Sequence, residues 1–218
     1  MKTNRKEAEK KLKKEYILKT LEPLFFEKDV DSITMEEMAK YCEYTRKSLY
    51  NYFSGKEEIY FNITLAIFRR TNKYMNELYE TLKSESYIDY FKNMITCMIM
   101  LYKNYPKEYK LLSHFHSNFD NISLQNELFL EFENETQMFI VVKVCRELYN
   151  SGKITQKYPL PLLTIFINGS INGIIDMLEK KKEVYSLQSM VDENDRIDIA
   201  EKFLIDLYLK NEIFKLEK

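Results

Sequence analysis

Basic, hydroxyl and amide side chains are concentrated in residues 44–56, with Thr34 a little ahead of them. Guanidinium, ammonium, hydroxyl and amide groups can hydrogen-bond to base edges in the major groove of DNA and to the phosphates beside it. Any single lysine here is as well explained by a solvated surface, but the cluster as a whole favours nucleic-acid binding. The candidate contact residues in this cluster are Arg46, Lys47, Ser48, Tyr50, Asn51, Tyr52 and Lys56.

The charges at the predicted helix starts point the same way. Arg46 and Lys47 lie in the first turn of one predicted helix and Lys56 in the first turn of the next. Cations at these positions oppose the helix dipole, so an anion is expected nearby to compensate. A DNA phosphate fits, because the free N–H groups of a helix start donate to it and an adjacent lysine or arginine strengthens the contact.

Three helix starts are predicted within about two dozen residues, because each has a hydroxyl side chain that can cap the first turn. The capping residues are Thr34, Thr45 and Ser54, and Glu37 and Glu57 follow the first and third at the capping-box spacing. The middle helix is predicted from Arg46 to Tyr52, with Leu49 and Phe53, four residues apart, on its buried side. The pattern indicates a compact helix-turn-helix head.

The segment from Thr45 to Phe53, TRKSLYNYF, followed by Lys56, resembles the recognition segment of the TetR-type transcriptional regulators. In that family a basic residue precedes Leu-Tyr-x-Tyr-Phe, and a lysine follows shortly after. The resemblance covers roughly residues 12 to 60. It implies phosphate contacts by Thr34, Tyr50, Tyr52 and Lys56, base contacts by Arg46, Lys47, Ser48 and Asn51, and a place for Tyr44 and Thr45 at the edge of both sets.

The sequence departs from the family pattern at two turns and inside the first helix. The family usually has glycine where this chain has Asp29 and Glu43, and both are positions where a positive φ is expected. Pro23 lies inside the first predicted helix, where a proline removes one hydrogen bond and crowds the preceding turn. We expect a kink there, or a helix that restarts.

The N-terminal segment is strongly basic. Residues 1–19 contain eight Lys or Arg and three Glu, a net charge of +5, while the whole chain has a net charge of −1. Such an arm could follow the DNA backbone or enter a minor groove, as homeodomain arms do. A frayed end that merely increases solubility is an equally good explanation.

Composition predicts an all-α protein of about nine helices. The 218 residues include only four Gly and four Pro, so long stretches lack the residues that end helices. Residues 1–56 are expected to form the DNA-binding domain with its basic arm, and residues 57–218 a larger helical bundle for effector binding and dimerisation. The helices beyond the head are predicted at about 57–82, 87–105, 106–115, 124–151, 159–182 and 193–214, with Gly152 as the stop of the fourth.

The sequence also predicts a cytoplasmic location. Its three cysteines are widely separated and have no CxxC spacing, which suits a reducing compartment. The charged N-terminus has no apolar core behind it, so we expect no signal peptide. We expect no membrane span either, because the apolar stretch at Ile95–Tyr102 is much shorter than the roughly 20 residues that a span needs.

Methionine, cysteine and aromatic side chains recur in the middle of the chain. They adapt to varied apolar shapes, so they could line a deformable pocket for a small hydrophobic effector. For each residue alone, an ordinary core is the commoner explanation. The candidate effector residues are Met94, Cys97, Met98, Tyr102, His114, Phe115, Phe119, Met138 and Phe139.

Signatures of metal binding and catalysis are lacking in the sequence. His114 and His116 are two residues apart, so they would point to different sides of a helix, and no cysteine or carboxylate lies near them at ligand spacing. No Gly-rich phosphate loop, nucleophile elbow or paired-carboxylate motif occurs. We therefore expect no metal, no cofactor and no enzymatic activity.

Small residues in a late apolar segment predict a dimer interface. Helix-turn-helix proteins usually bind two half-sites through two-fold symmetry, and small residues let a second helix approach closely. Together with the last predicted helix they would form a four-helix interface, the arrangement that the resemblance implies. Close packing within one subunit is the alternative. The candidate interface residues are Gly169, Ser170, Gly173, Ile174, Phe203 and Leu207.

These expectations combine into one functional hypothesis: a homodimeric, ligand-responsive regulator, a repressor that leaves a palindromic double-stranded DNA operator when a small hydrophobic effector binds. One alternative is a helical small-molecule-binding protein or enzyme whose head is only structural, which predicts no salt-sensitive DNA affinity. Another is an architectural DNA binder without an effector, which predicts specific binding that no metabolite relieves.

Overall fold

The structure, a computed structural model, describes residues 2–82, 86–113, 115, 126–180 and 193–209. This part of the chain is all-α, as predicted, with ten α-helices, nine of them at least seven residues long, and no β-strand. The helices are α1 Lys2–Glu27, α2 Met35–Tyr41, α3 Arg46–Tyr50, α4 Lys56–Thr81, α5 Tyr87–Asn104, α6 Pro106–Ser113, α7 Asn126–Met138, α8 Ile140–Asn150, α9 Leu160–Lys180 and α10 Glu193–Leu209, with a short 3-10 helix at Val30–Ser32.

The chain divides into two compact units. The first contains Met1–Arg70 and Lys107–Glu133, and the second contains Thr71–Pro106 and Asn134–Lys218. Helix α4 contributes its first part to one unit and its remainder to the other, and so does α7.

The first unit is held together by an apolar core under α1, α2, α3 and the start of α4. Its fully buried members include Ile17, Leu21, Met38, Leu49, Phe53 and Ile59. An ion-pair network adds to this core: the Arg70 guanidinium donates to both carboxylate oxygens of Glu22, at 2.7 and 2.8 Å, and to Glu108, at 3.1 Å. Because these residues lie on α4, α1 and α6, the network joins three helices within the unit.

Helix α1 passes through Pro23 as one continuous element, so of the two outcomes expected there, a kink or a restart, the restart does not occur. The proline deprives the carbonyl oxygen of Lys19 of its helical donor. Both residues are exposed, which leaves water free to take that hydrogen bond.

The second unit packs α5 against α8 and α10, and α9 against α8 and α10. Its buried side chains include Phe91, Met94, Ile95, Val144, Leu148, Ile171, Leu204 and Tyr208. Helix α8 ends as the sequence predicts. Gly152 has a φ of 71°, its N–H donates to the Tyr149 carbonyl, and the Lys153 N–H donates to the Leu148 carbonyl, which is the Schellman arrangement.

The helix predicted for residues 124–151 is instead two helices in the described part of that range. Phe139, between α7 and α8, has an extended backbone with φ −62° and ψ 133°. The three residues that follow it, Ile140, Val141 and Val142, are β-branched and have modest helix propensity. The sequence has no Gly or Pro at this break, which is why its pattern predicted one helix.

The three cysteines are buried as free thiols. Burial raises the pKa of Cys42 to about 11 and the pKa values of Cys97 and Cys145 to about 12.

Within the described residues, one helix is long and apolar enough to cross a membrane, judged by length and composition. It is α9, where residues Leu160–Met177 have a mean hydropathy of 1.3 and 22% of them are buried. The expectation of no membrane span rested on the shorter apolar stretch at Ile95–Tyr102.

Candidate nucleic-acid interface

Helix α2 begins with the predicted cap. The Thr34 hydroxyl oxygen accepts a hydrogen bond from the Glu37 N–H at 3.2 Å, which satisfies one of the free donors of the first turn. The Glu37 carboxylate accepts a hydrogen bond from the Lys28 ammonium. That hydrogen bond is the main reason why the pKa of Glu37 lies below its usual value.

The two sequence departures at turns have different structural consequences. Glu43 has a φ of 61°, the predicted left-handed conformation, and is the only non-glycine residue with a positive φ in the described chain. The Tyr44 N–H closes this turn by donating to the Ala39 carbonyl at 2.8 Å. Asp29 was predicted to be left-handed and is not, because its φ is −64° and its side chain caps the 3-10 helix by accepting from the Asp31 N–H.

Helix α3 carries most of the predicted DNA-binding residues. Thr45 caps it, as predicted, by accepting from the Ser48 N–H at 3.1 Å, and the two hydroxyl oxygens are 2.8 Å apart. Leu49 and Phe53 are fully buried, as expected for the inner side of this helix. The helix ends at Tyr50, two residues earlier than predicted, and the Phe53 N–H still donates to the Leu49 carbonyl in the turn that follows.

The structure brings the ten predicted contact residues together around α2, α3 and the start of α4. The Arg46 guanidinium lies over the Tyr50 ring, 5.7 Å from its centre, and the Tyr44 and Tyr52 rings meet edge to face at 6.2 Å. Exposed members are Thr34, Thr45, Arg46, Lys47, Tyr50 and Asn51, and half-buried members are Tyr44, Ser48, Tyr52 and Lys56.

Lys56 is anchored to the protein. Its ammonium donates to the backbone carbonyls of Val30, at 3.1 Å, and Asp31, at 3.4 Å. An ammonium has three protons to donate, so this position still has a donor for a phosphate. The contact also fixes the start of α4 against the 3-10 helix.

The third predicted capping box is shifted by one residue. Helix α4 begins at Lys56, and the Gly55 carbonyl accepts from the Ile59 N–H, so the third helical position is Glu58 and not Glu57. The Glu58 carboxylate accepts from both the backbone N–H and the hydroxyl of Ser54, at 2.7 and 2.8 Å. Burial opposes ionisation of Glu58, but these hydrogen bonds and the Lys14 ammonium outweigh it and lower its pKa.

The predicted effector residues are divided between the two units. Met94, Cys97 and Met98 are buried on α5 of the second unit, beside half-buried Tyr102, and the Cys97 thiol donates to the Met75 carbonyl. Also in the second unit, Met138 is exposed and Phe139 is half-buried. Phe115 belongs to the first unit. His114, His116 and Phe119 lie outside the described residues.

Phe115 is part of an aromatic cluster in the first unit. Its ring centre lies 5.6 Å from that of Tyr60, 6.4 Å from that of Phe61 and 5.2 Å from that of Phe132.

Two buried polar groups on α4 were missed by the sequence analysis. Asn72 donates to the backbone carbonyl and the carboxylate of Glu135, but its own carbonyl oxygen has no hydrogen-bond partner among the described residues. The Tyr79 hydroxyl also lacks one there, and burial raises its pKa. Their spacing of seven, which puts both on one face of the helix, is the signal that could have revealed them.

The predicted interface residues lie on an exposed apolar surface of α9 and α10. A Cβ atom added to Gly169 or Gly173 would meet no heavy atom within 4 Å, so neither glycine is needed for packing within the chain. Ser170 and Ile174 are half-buried, and Phe203 and Leu207 are exposed. Phe166 and Ile199, which belong to the same predicted segments, are exposed as well, and further exposed members missed from the sequence are Leu162, Ile165 and Met177. We call the seven exposed residues Leu162, Ile165, Phe166, Met177, Ile199, Phe203 and Leu207 the apolar face.

Comparisons with known proteins agree with this geometry. Residues 17–63 match the sequence profile of the family described as "Bacterial regulatory proteins, tetR family". Curated proteins include no significant match to the chain.

Solved structures with similar folds cover most of the chain. A proposed tetR-family transcription regulator from Shewanella sp. PV-4 has a TM-score of 0.61 and 14% identity over 89% of this chain and 97% of its own. FadR from Bacillus subtilis in complex with stearoyl-CoA has a TM-score of 0.55 and 16% identity over 88% and 96%. Superantigen PfiT has a TM-score of 0.56 and 16% identity over 92% and 95%.

At such identities the structural likeness shows the fold, while the profile match identifies the N-terminal segment. The resemblance found in the sequence is confirmed. The chain has the fold of the TetR-family transcription regulators, and its residues 17–63 match the N-terminal domain of that family.

Proposed function

We propose that this protein is a cytoplasmic, homodimeric transcription regulator that represses by binding a palindromic operator and is released by a small hydrophobic effector. Residues 1–56 would bind DNA, and residues 57–218 would bind the effector and form the dimer. The fold and the family match support a DNA-binding regulator, and the remaining steps are our inference.

The observation that carries the proposal is the composition of the exposed surface of α3. Arg46 and Lys47 are exposed on α3, Asn51 is exposed at the residue that caps its end, and Leu49 of the same helix is fully buried. The capping hydrogen bond of Thr45 fixes the start of the same helix. A short, rigid helix with donors on its outer side suits insertion into a major groove.

The apolar face supports dimerisation. Leu162, Phe166, Gly169 and Gly173 follow one helical stripe along α9, with spacings of three or four residues, and Ile165 adjoins it four residues before Gly169. Ile199, Phe203 and Leu207 recur every four residues along α10. Exposed apolar stripes of this extent on a single chain indicate a protein–protein interface. In an isologous contact, α9 and α10 of each copy would be covered by α9 and α10 of the other. The resulting dimer would have two DNA-binding heads for one DNA.

An effector would act by population shift. A ligand that prefers the DNA-incompetent shape by about 5.5 kcal/mol moves a two-state equilibrium from one side almost entirely to the other. The structure named for FadR holds stearoyl-CoA, which has a long apolar chain, within the same fold. The buried methionine, cysteine and aromatic side chains of α5 support an apolar ligand here as well.

The direct test is binding of the purified protein to DNA upstream of its own gene, against scrambled DNA, at two salt concentrations. Selective binding that weakens with salt is expected. Apolar metabolites would then be screened for release of the bound DNA. Equal affinity for both DNAs, or none, would contradict the role as a regulator at that site.

Two lysine variants test the division between base and phosphate contacts. Lys47→Ala should change the preferred operator sequence, with a loss of about 1–3 kcal/mol at the base it contacts. Lys56→Ala should weaken binding to all sequences alike, because the Lys56 ammonium, held beside the 3-10 helix, would contact a phosphate, and phosphates are the same in every sequence. Equal effects of both variants on every operator variant would contradict this division.

A further inference from the structure

Helix α1 extends well beyond the segment that matches the family. The match begins at residue 17, but α1 begins at Lys2, and residues 5–13 are exposed. The basic segment is therefore a helix of several turns that is continuous with the rest of α1.

Four lysines of this extension lie on one face. Lys6, Lys10, Lys13 and Lys14 follow the spacing i, i+4, i+7, i+8, and the same stripe continues into the buried residues Ile17, Leu21 and Leu24. We call these four residues the lysine stripe.

The carboxylates of the extension do not neutralise this stripe. Glu9 pairs with Arg5 at 3.1 Å. Among the side chains that the structure describes, no carboxylate pairs with Lys6, Lys10 or Lys13.

The stripe begins beside the turn that follows α3. The Lys14 ammonium is 3.1 Å from Glu58 and lies over the Phe53 ring, 5.0 Å from its centre. Glu58 accepts from the Ser54 N–H, and Ser54 lies in the turn between α3 and α4. From Lys14 to Lys6 the helix rises about 12 Å, at about 1.5 Å per residue.

We propose that Lys6, Lys10 and Lys13 of the lysine stripe, which have no carboxylate partner among the described side chains, bind DNA phosphates flanking the groove in which α3 would lie. The inference rests on the proposed function and extends it to a surface outside the matched family domain. The ammonium is a point charge suited to phosphate, and the stripe lacks the amide and guanidinium groups that read bases. Cations near a helix N-terminus oppose its dipole and repel one another, and phosphates relieve both effects.

The test compares two variants with equal loss of charge. Lys6→Ala with Lys10→Ala removes two exposed members of the stripe, and Lys11→Ala with Lys19→Ala removes two exposed lysines from other sides of α1. Alanine preserves helix propensity, and circular dichroism checks that both variants fold. Affinity for duplex DNA is measured over a salt series, on an operator and on a scrambled duplex.

The stripe variant should bind with a shallower salt dependence. Each lost phosphate contact reduces the slope of log affinity against log salt by about 0.9, so four lost contacts in a dimer reduce it by about 3 to 4. Affinity near physiological salt should fall at least tenfold on both duplexes, with the ratio between them unchanged. The control variant should change the slope by less than about 1.

The possible failures are distinguishable. If the wild-type protein does not prefer an operator, the proposed regulator function is contradicted. The phosphate role of the stripe is tested separately, by comparing the slope of log affinity against log salt between the wild-type protein and the stripe variant on either duplex. Equal slopes for the wild-type protein and the stripe variant, or equal losses in the stripe and control variants, would overturn the phosphate role.

Discussion

The surface of α3 and the apolar face of α9 and α10 are both exposed, but different forces organise them. On α3, the Ser48 N–H donates to the Thr45 hydroxyl, and the Arg46 guanidinium lies over the Tyr50 ring, so local contacts order the polar side chains. On α9 and α10, large apolar side chains such as Ile165 and Phe203 are exposed by 69% and 58%. The first surface suits a charged, hydrated partner, and the second suits another apolar surface.

Breaking the apolar face should have the largest effect. Phe203→Glu puts a charge into the proposed interface, where it would be buried without a partner. We expect dimer dissociation to be favoured by at least 100-fold, and operator affinity to fall with it. Sedimentation at micromolar concentration measures the change. Leu130→Glu, at an exposed apolar position of α7, is the matched control and should leave the oligomeric state unchanged.

Gly173→Leu gives a second test of the same face. A Cβ at Gly173 meets nothing within 4 Å in the single chain, so leucine fits the folded subunit and should favour the helix slightly. In a close helix-to-helix contact it would clash. A variant that remains dimeric at low concentration would exclude this surface as the interface.

The ion-pair network of the first unit should give the next largest effect. Arg70→Met removes the partner of Glu22 and Glu108, whose side chains are only 24% and 17% exposed. We expect the free energy of unfolding to fall by about 1–2 kcal/mol, at the low end for charged hydrogen bonds because Arg70 is partly exposed. Chemical denaturation measures it. A cycle with Glu22→Gln should show strong coupling, and additive losses would argue against the network.

Loss of the α3 cap should be a smaller change confined to the head. Thr45→Ala leaves the Ser48 N–H without its acceptor and should cost about 1 kcal/mol. Thr45→Ser keeps the hydroxyl and should cost little. Hydrogen exchange of the α3 amides separates local fraying from global unfolding, and equal protection in both variants would show that the cap is unimportant.

The turn before α3 offers a change in the opposite direction. Glu43→Gly relieves a left-handed residue and should stabilise the protein by up to about 1 kcal/mol. Asp29→Gly is the contrasting variant. It relieves no strain and removes a cap, so it should stabilise nothing. A gain from Asp29→Gly as large as that from Glu43→Gly would mean that φ does not explain the effect. Thermal unfolding of the two variants and the wild-type protein measures both changes in stability.

The smallest effect concerns pH. Glu58 has a lowered pKa in the folded state, so its ionised form contributes stability that is fully present above its unfolded value of 4.5 and is lost as the pH falls through the folded pKa. We expect Glu58→Gln to flatten the acid decline of the free energy of unfolding below about pH 4.5. Parallel curves for the wild-type protein and the variant would contradict this role.

Sequence predicted the features that depend on neighbouring residues. The caps at Thr34 and Thr45, the buried Leu49 and the left-handed Gly152 each follow from local chemistry, and all are confirmed. The break at Phe139 was missed because an extended residue there needs no Gly or Pro.

The positions of polar groups were harder to predict. Buried Asn72 and Tyr79 were missed because a polar residue on an amphipathic helix is usually solvated. Which of the predicted effector residues share a unit also depended on the tertiary fold, and Phe115 lies in a different unit from the candidates on α5.

The burial of the three native thiols has a practical consequence for these experiments. With pKa values of about 11 and 12, Cys42, Cys97 and Cys145 are almost entirely protonated at neutral pH and react slowly with maleimides or oxidants. A cysteine introduced at Leu12, which is exposed and lies outside the lysine stripe, would be modified first. A fluorescent or spin label attached there could report on α1 beside DNA without removal of any native cysteine.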